Sequence, residues 1–187
     1  LFRLLALILS LFFAYNILLV LQPSEYADFV LIFSLIQFIT VSFLSWPNQY
    51  LLNYGRKSLD KHGNINAIFT TRGLVHLILL TLVIILIILV SPFLSKVLNL
   101  DVMILKYSLI FGVLIMPLVD IFTVCAQVYG KFFSYSISPV IQRIFQIAAL
   151  LFLYYNFFQE WILLIIFTLI GYFVSILLLL VEVSKNK

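Results

Sequence analysis

Charge and cysteine are scarce in this sequence of 187 residues. Only 10% of the residues are Asp, Glu, Lys or Arg, and Cys125 is the single cysteine. A soluble domain is about 25% charged and about 45–50% apolar, whereas 65% of this chain is hydrophobic and its mean hydropathy is +1.23. A soluble fold of this size cannot bury so much apolar surface, and one cysteine cannot form a disulfide within the chain. We therefore expect a membrane protein.

Long apolar runs, separated by short polar segments, make up most of the chain. A run of ~20 residues forms a helix that crosses ~30 Å of hydrocarbon, and six such runs fit here. They are continuous rather than alternating, so they predict helices instead of barrel strands. Comparable runs after the first argue against a cleaved signal peptide. The sequence thus predicts an all-α polytopic membrane protein with one six-helix lobe over residues 1–187. The predicted spans are about 1–21, 26–52, 67–90, 103–128, 139–155 and 161–183.

Lysine and arginine fall mainly on one side of this predicted topology. Cytoplasmic loops are enriched in both residues, which places both chain ends in the cytoplasm and the polar turn at Glu25 outside. Contact with anionic lipid headgroups accounts for the formal charge of +4, and no basic groove with an aromatic ladder predicts a nucleic-acid partner. The predicted cytoplasmic set is Arg3, Arg56, Lys57, Lys61, Arg72, Lys131, Arg143, Lys185 and Lys187, and only Lys96 and Lys106 lie on the other side.

Proline and glycine are sparse, and their positions give local predictions. Pro23, Pro92 and Pro139 are expected in or beside turns, whereas Pro47 and Pro117 fall inside spans and are each expected to kink a helix. Close approach between helices is predicted at Gly73, Gly112 and Gly171. Aromatic anchors at the membrane interface are predicted at Trp46, Trp161, Tyr26, Tyr54, Tyr107, Tyr129, Tyr154 and Tyr155.

Residues that carry enzymatic or metal chemistry form no recognisable pattern. His62 and His76 are separated by part of a predicted loop and several helical turns, with no carboxylate at ligand spacing, so metal binding is not expected. Cys125 is expected to be a buried, inert thiol. There is no glycine-rich phosphate loop, serine-centred elbow or carboxylate pair. Neither an enzyme nor a cofactor is predicted.

Ionisable side chains inside the predicted spans are the candidate functional residues. Arg72 and Arg143 lie about one and a half turns from the cytoplasmic ends of their helices, and Asp120 lies to the cytoplasmic side of the middle of its own. All three therefore fall within the inner half of the bilayer. His76 follows Arg72 by one turn on the same helical face. A charge at helix centre costs at least ~2.5 kcal/mol, so such groups usually face the bundle interior or an aqueous cavity.

Two interpretations stay open for the arginines. Their side chains either snorkel to lipid phosphates or line an internal cavity. Asp120 has no stem with which to snorkel, so it is predicted to face the interior, where a long arginine side chain is able to reach it. Together these residues predict a polar, net-positive inner cavity that suits an anionic substrate.

Three segments resemble polysaccharide flippases, the O-antigen and capsule repeat-unit transporters of the superfamily that also holds multidrug exporters and the lipid II flippase. PSEYADF, residues 23–29, resembles the acidic turn after that family's first span. WPNQYLLNYGRK, residues 46–57, resembles the run leading to Arg at the end of its second span. CAQVYGKFFSYSISPVIQRIFQIAALLFLYY, residues 125–155, resembles the glycine-centred link between spans 4 and 5 and the helix after it. Departures from the family's usual glycines occur at Ala27, Pro47 and Asn48.

The resemblance implies the N-terminal half of a two-lobed carrier in the bacterial inner membrane. We expect this chain to be a fragment that lacks the second six-helix lobe, with a homodimer of single lobes as the alternative. Such a carrier moves a lipid-linked oligosaccharide from the cytoplasmic to the outer face by alternating access, alongside polysaccharide assembly proteins. A cationic cavity would attract the diphosphate through charge-assisted bonds. On this hypothesis Arg72 and Arg143 contact the anionic head, Asp120 orients one of them and His76 lies beside them.

Two other function classes are predicted as alternatives. An ion-coupled multidrug exporter of the same superfamily would use a carboxylate coupled to Na⁺ or H⁺, for which Asp120 is available. A non-transporting membrane scaffold needs no charged interior. It predicts that Asp120, Arg72 and Arg143 can be replaced with little loss beyond stability.

Overall fold

The computed structural model of the protein describes residues 2–155 and 160–184. Within them the chain forms helices and no strand. A π-helical segment, Thr40–Ser45, directly continues the second helix. The α-helices are α1 Phe2–Val20, α2 Pro23–Ile39, α3 Asn48–His62, α4 Asn66–Leu98, α5 Val102–Val128, α6 Phe132–Tyr154 and α7 Ile162–Ser184.

The described residues contain six apolar helical segments of membrane length, in addition to α3. They are α1, α2 together with the π-helical segment, and α4 to α7. Each helix pairs its backbone N–H and C=O groups internally, which is necessary because hydrocarbon offers them no hydrogen-bond partner. The outward side chains are largely apolar, for example Leu11, Leu19 and Leu89, which are 64%, 67% and 71% exposed. Such a surface fits contact with lipid, and the predicted all-α polytopic membrane fold is confirmed.

A hydrophobic core joins all six spans, with α5 at its centre. Ile32, Ile36, Leu105, Val113 and Leu164 are fully buried in this core. Half of the most apolar stretch of α5 is buried, whereas only 11% of the corresponding stretch of α1 is buried. α1 therefore lies at the periphery, where it packs mainly along α6.

Two of the three glycines predicted to allow close helix approach do so. A Cβ atom at Gly112 of α5 would lie 2.6 Å from the Ile36 side chain of α2. A Cβ atom at Gly171 of α7 would lie 3.0 Å from the Phe145 Cβ of α6. The prediction is wrong for Gly73, because no heavy atom of the described residues lies within 4 Å of a Cβ built there.

Two prolines predicted in or beside turns lie inside helices. α4 continues through Pro92 to Leu98, beyond residue 90 at which the third span is predicted to end. The helix ends at Asn99, whose φ of 54° is the left-handed conformation common after a helix. α6 likewise begins at Phe132 and contains Pro139. Neighbouring helices can compensate for the lost backbone donor in a membrane helix, whereas Pro23 begins α2 as predicted.

The polar segment predicted as a loop after the second span is mainly helical. α3 extends to His62 and ends at Gly63, whose φ is 71° and whose N–H donates to the Leu59 carbonyl over 2.8 Å. Its buried side includes Leu51 and Gly55, and a Cβ at Gly55 would lie 3.2 Å from the Val128 side chain of α5. This contact with α5 keeps the polar segment helical beyond the apolar run.

The alternating spans bring the start of α1, the helix α3 and the turn between α5 and α6 to one end of the bundle. Arg3 in the first turn of α1 donates to the hydroxyl of Tyr135 in the first turn of α6, which ties these two starts together. Much of the predicted cytoplasmic cation set therefore shares one end. Three residues named in the predictions lie outside the described residues. They are Leu1 of the predicted first span, and Lys185 and Lys187 of the predicted cytoplasmic set.

Candidate functional site

The second span is broken just before α3. α2 gives way to the π-helical segment Thr40–Ser45, Trp46 and Pro47 form a turn, and α3 begins at Asn48. Proline has no N–H, and a π-helical turn shifts the backbone bonding pattern. Both features interrupt the regular ladder of backbone hydrogen bonds. The break predicted at Pro47 is therefore present, whereas a kink at Pro117 within α5 stays a prediction.

Arg72 of α4 forms hydrogen bonds with residues on both sides of this break, from inside the bundle. Its side chain is only 1% exposed. Its Nε donates to the Asn48 Oδ1 over 3.0 Å, and its Nη2 donates to the Leu44 carbonyl over 2.7 Å. Hydrogen bonds from a charged donor are roughly twice as strong as neutral ones. Snorkelling to lipid phosphates is therefore wrong for Arg72, and its place in the lining of an internal cavity stays a prediction.

Asp120 of α5 binds the same break through a different residue. Its Oδ2 accepts a hydrogen bond from the Ser45 hydroxyl over 2.8 Å, and the residue is half-buried. No ion pair within 4.0 Å joins Asp120 to Arg72 or Arg143, so the expected contact between an arginine and this carboxylate is not formed. Two side chains of opposite charge, from two helices, instead hold residues 44–48.

A layer of buried polar atoms without protein partners lies next to Arg72. His76 is 4% exposed and Thr40 is 2% exposed. Neither ring nitrogen of His76, nor Thr40 Oγ1, nor Arg72 Nη1 has a hydrogen-bond partner among the described residues. His76 follows Arg72 by one turn on α4, and Thr40 precedes Leu44, whose carbonyl accepts from Arg72, by about one turn on the second span.

Unpaired polar atoms of this kind are costly. Each buried donor or acceptor without a partner costs about 1–3 kcal/mol, and native proteins contain few of them. A site that binds a ligand therefore explains His76 and Thr40 better than a packing role does. The sequence predicted His76 beside Arg72, and the antiparallel helix adds Thr40.

Arg143 belongs to a separate polar group between α6 and α7. Its Nη1 donates to the Gln146 Oε1, and the Gln146 Nε2 donates to the Thr168 hydroxyl over 3.2 Å. Thr168 in turn donates to the Leu164 carbonyl over 2.6 Å. Gln146 and Thr168 are almost fully buried, whereas Arg143 is half-buried. No hydrogen bond or ion pair connects Arg143 to Arg72 or Asp120, so the predicted site residues form two groups. The Tyr172 hydroxyl of α7 interacts electrostatically with both Arg143 and Asp120.

Most of the polar partners in these groups could not be predicted from the sequence. Ser45 and Asn48 lie on either side of the Trp46–Pro47 turn. Pro47 was the one sequence signal that indicated a break. A π-helical segment has no distinct hydrophobic period, so Thr40 could not be assigned to it. Thr168 resembles any other small polar residue in an apolar span.

Metal-binding geometry does not occur in the described parts of the chain. No three His, Cys, Asp or Glu side chains at residues 2–155 and 160–184 are placed to hold a metal ion. Cys125 is a buried free thiol. The ionisable side chains inside the spans are therefore the chemically notable groups.

Comparisons with known proteins identify no relative. No protein-family model matches the chain, and neither a curated protein nor a solved structure matches it. The two polar groups inside the bundle are therefore the features that bear on function.

Proposed function

We propose that this protein belongs to a transporter that flips a lipid-linked oligosaccharide across the bacterial inner membrane. The substrate would move from the cytoplasmic to the outer face by alternating access, with both chain ends of this lobe in the cytoplasm. The observation that carries the proposal is the binding of Arg72 and Asp120 to residues 44–48 of a broken span. Intramembrane charges usually serve a transport path or binding site, and interrupted helices form the substrate sites of many carriers.

The two arginines would have different roles in such a transporter. Arg72 is held by Asn48 and by the Leu44 carbonyl, so it fixes the shape of the broken span. Arg143 is half-buried, and the one hydrogen bond that its guanidinium makes among the described residues goes from Nη1 to Gln146, so its other donors make no hydrogen bond there. A guanidinium with open donors suits the bidentate binding of a phosphate. Arg143 is therefore the first contact proposed for the diphosphate, with Arg72 and His76 deeper in the bundle.

A scaffold without transport activity is less well supported by this interior. Replacing buried charges with well-packed apolar side chains is often neutral or stabilising. A protein that needs only stability therefore gains little from Arg72 at 1% exposure beside a histidine with no partner.

An ion-coupled exporter is the second candidate, and Asp120 is the observation that favours it. Its Oδ2 accepts from Ser45, while its Oδ1 makes no hydrogen bond and no ion pair with the described residues. A carboxylate with one open oxygen inside a membrane can take up a proton or a Na⁺ ion. The candidates differ in their cargo, so a measurement of the cargo separates them.

The deciding experiment is deletion of the gene that encodes this chain. Surface polysaccharide and lipid-linked intermediates on the cytoplasmic face would be quantified in the same cells. The flippase proposal expects surface polymer to be lost and intermediates to accumulate inside. If both levels are unchanged, the proposal is wrong, and drug accumulation in the deletion strain becomes the test of the exporter.

Complementation of the deletion strain would then test the site. Arg143→Gln removes the open guanidinium and is expected to restore much less surface polymer than the wild-type gene. Lys106→Gln is the matched control, because Lys106 lies at the other end of the bundle with its Nζ 5.1 Å from the centroid of the Tyr107 ring. Equal restoration by both variants would contradict the role of Arg143.

A further inference from the structure

One side of α3 carries a line of aromatic and cationic side chains. Trp46 precedes the helix, Tyr50 and Tyr54 follow at intervals of one turn, and Lys57 and Lys61 continue the line. Such spacing places all five on one helical face, which we name the α3 stripe. The Tyr50 and Tyr54 ring centroids are 4.8 Å apart, and the Lys57 Nζ is 5.6 Å from the Tyr54 centroid.

The α3 stripe faces away from the helix bundle. Trp46, Tyr50 and Tyr54 are 60%, 44% and 50% exposed. Leu51 and Gly55, on the buried side of the same helix, are turned toward the other helices. Five large side chains at the end of a membrane span are therefore available to something outside this bundle.

The order of residues along the α3 stripe matches the layers of a membrane surface. The aromatic rings lie nearest the end of the second span, and the lysines lie one to two turns farther along. Aromatic rings favour the boundary between acyl chains and headgroups, and lysine side chains reach from there toward phosphates. On this helix Arg56, Lys57 and Lys61 outnumber the single acid, Asp60, so its charge complements an anionic surface.

We propose that the α3 stripe binds the headgroups of anionic phospholipids in the surrounding bilayer. The rings of Trp46, Tyr50 and Tyr54 would lie at the boundary with the acyl chains, and Lys57 and Lys61 would bind the lipid phosphate. This inference does not rest on the proposed transport activity, because it concerns the bilayer in which the protein lies. Its experiment needs no transported substrate.

Tryptophan fluorescence gives a direct test, because the chain contains only two tryptophans. In the variant Trp161→Phe, Trp46 is the single emitter. The protein would be reconstituted into mixtures of phosphatidylcholine and phosphatidylglycerol in which one lipid or the other carries bromine, which quenches nearby tryptophan. We expect the anionic lipid to bind beside Trp46 about 3- to 10-fold more strongly than the neutral one, given the attraction of each lysine to an anionic surface.

Charge variants identify the residues responsible for this preference. The double variant Lys57→Gln, Lys61→Gln is expected to reduce the preference at Trp46 to less than about twofold. The matched control, Lys96→Gln with Lys106→Gln, removes the same charge at the other end of the bundle and should leave it unchanged. A second control, Trp46→Phe, makes Trp161, directly before α7, the emitter, and no preference for the anionic lipid is expected there.

Four results would overturn the proposal. Equal quenching of Trp46 by both brominated lipids would show no headgroup selection, and quenching by neither would show that the stripe does not face lipid. If the preference persists in the double lysine variant, Lys57 and Lys61 are not the residues that cause it. Should a soluble oligosaccharide shift Trp46 emission while the anionic preference is absent, the α3 stripe would be a glycan surface instead.

Discussion

Arg72 and Arg143 occupy similar depths in their helices, yet their surroundings differ. Arg72 is 1% exposed and binds a backbone carbonyl and a side chain of another part of the chain. Arg143 is half-buried, and its hydrogen bond goes to Gln146, one turn away on its own helix. Helical depth therefore does not decide whether an intramembrane arginine is part of the packed interior. The local backbone contributes to the difference, because the Leu44 carbonyl of the broken span accepts a hydrogen bond from Arg72.

The largest expected effect is the loss of Arg72. Arg72→Gln removes the donors to the Leu44 carbonyl and to Asn48, and it should lower the free energy of unfolding by about 2–4 kcal/mol. Arg143→Gln loses one bond within its own helix and should cost less than about 1 kcal/mol. Both values would be measured by denaturant titration of the purified protein in detergent micelles.

Equal destabilisation by these two variants would contradict the difference between Arg72 and Arg143, because it would mean that Arg143 also holds the fold together. Arg72→Lys is a useful intermediate. It keeps the charge but loses the planar fork that spans two acceptors, so its stability should fall between those of the wild type and Arg72→Gln.

The sequence predicted the spans well but predicted their ends poorly. Six apolar runs are sufficient to predict six helices, because hydrocarbon tolerates little else. The ends of α3 and α4 are marked by Gly63 and Asn99, residue types that favour the left-handed conformation after a helix. The length of α3 also depends on a tertiary contact that no sequence pattern displays, Gly55 against Val128. Polar segments and the prolines Pro92 and Pro139 were therefore assigned to turns, although the structure continues helices through them.

The candidate site, like the helix ends, could be predicted only in part from the sequence. Its charged members could be found from the sequence, because Arg72, Asp120 and Arg143 are conspicuous in apolar spans. Their grouping could not be found, because it depends on the π-helical segment Thr40–Ser45. That segment turns Leu44 and Ser45 toward two different helices, where they meet Arg72 and Asp120.

A smaller effect is expected from packing changes near Arg143. Gly171→Ala would place a Cβ 3.0 Å from the Phe145 Cβ and 3.2 Å from the Gln142 Cα. Overpacking of this kind typically costs 1–3 kcal/mol, and here it would push α7 away from the helix that carries Arg143. Its free energy of unfolding and its restoration of surface polysaccharide should both fall, while Arg72 keeps its partners. Gly73→Ala is the matched control, because a Cβ there meets no described atom within 4 Å, so no loss of stability is expected.

The smallest effect, and one of opposite sign, is expected at His76. Its ring nitrogens are buried and have no partner among the described residues, so His76→Leu should raise the free energy of unfolding by roughly 1 kcal/mol. His62→Leu at the exposed end of α3 serves as the control and should change stability little. Function separates the candidate roles, because a transporter that uses the His76 layer should lose restoration of surface polysaccharide despite its gain in stability. A variant that is both more stable and fully active would show that this layer takes no part in transport.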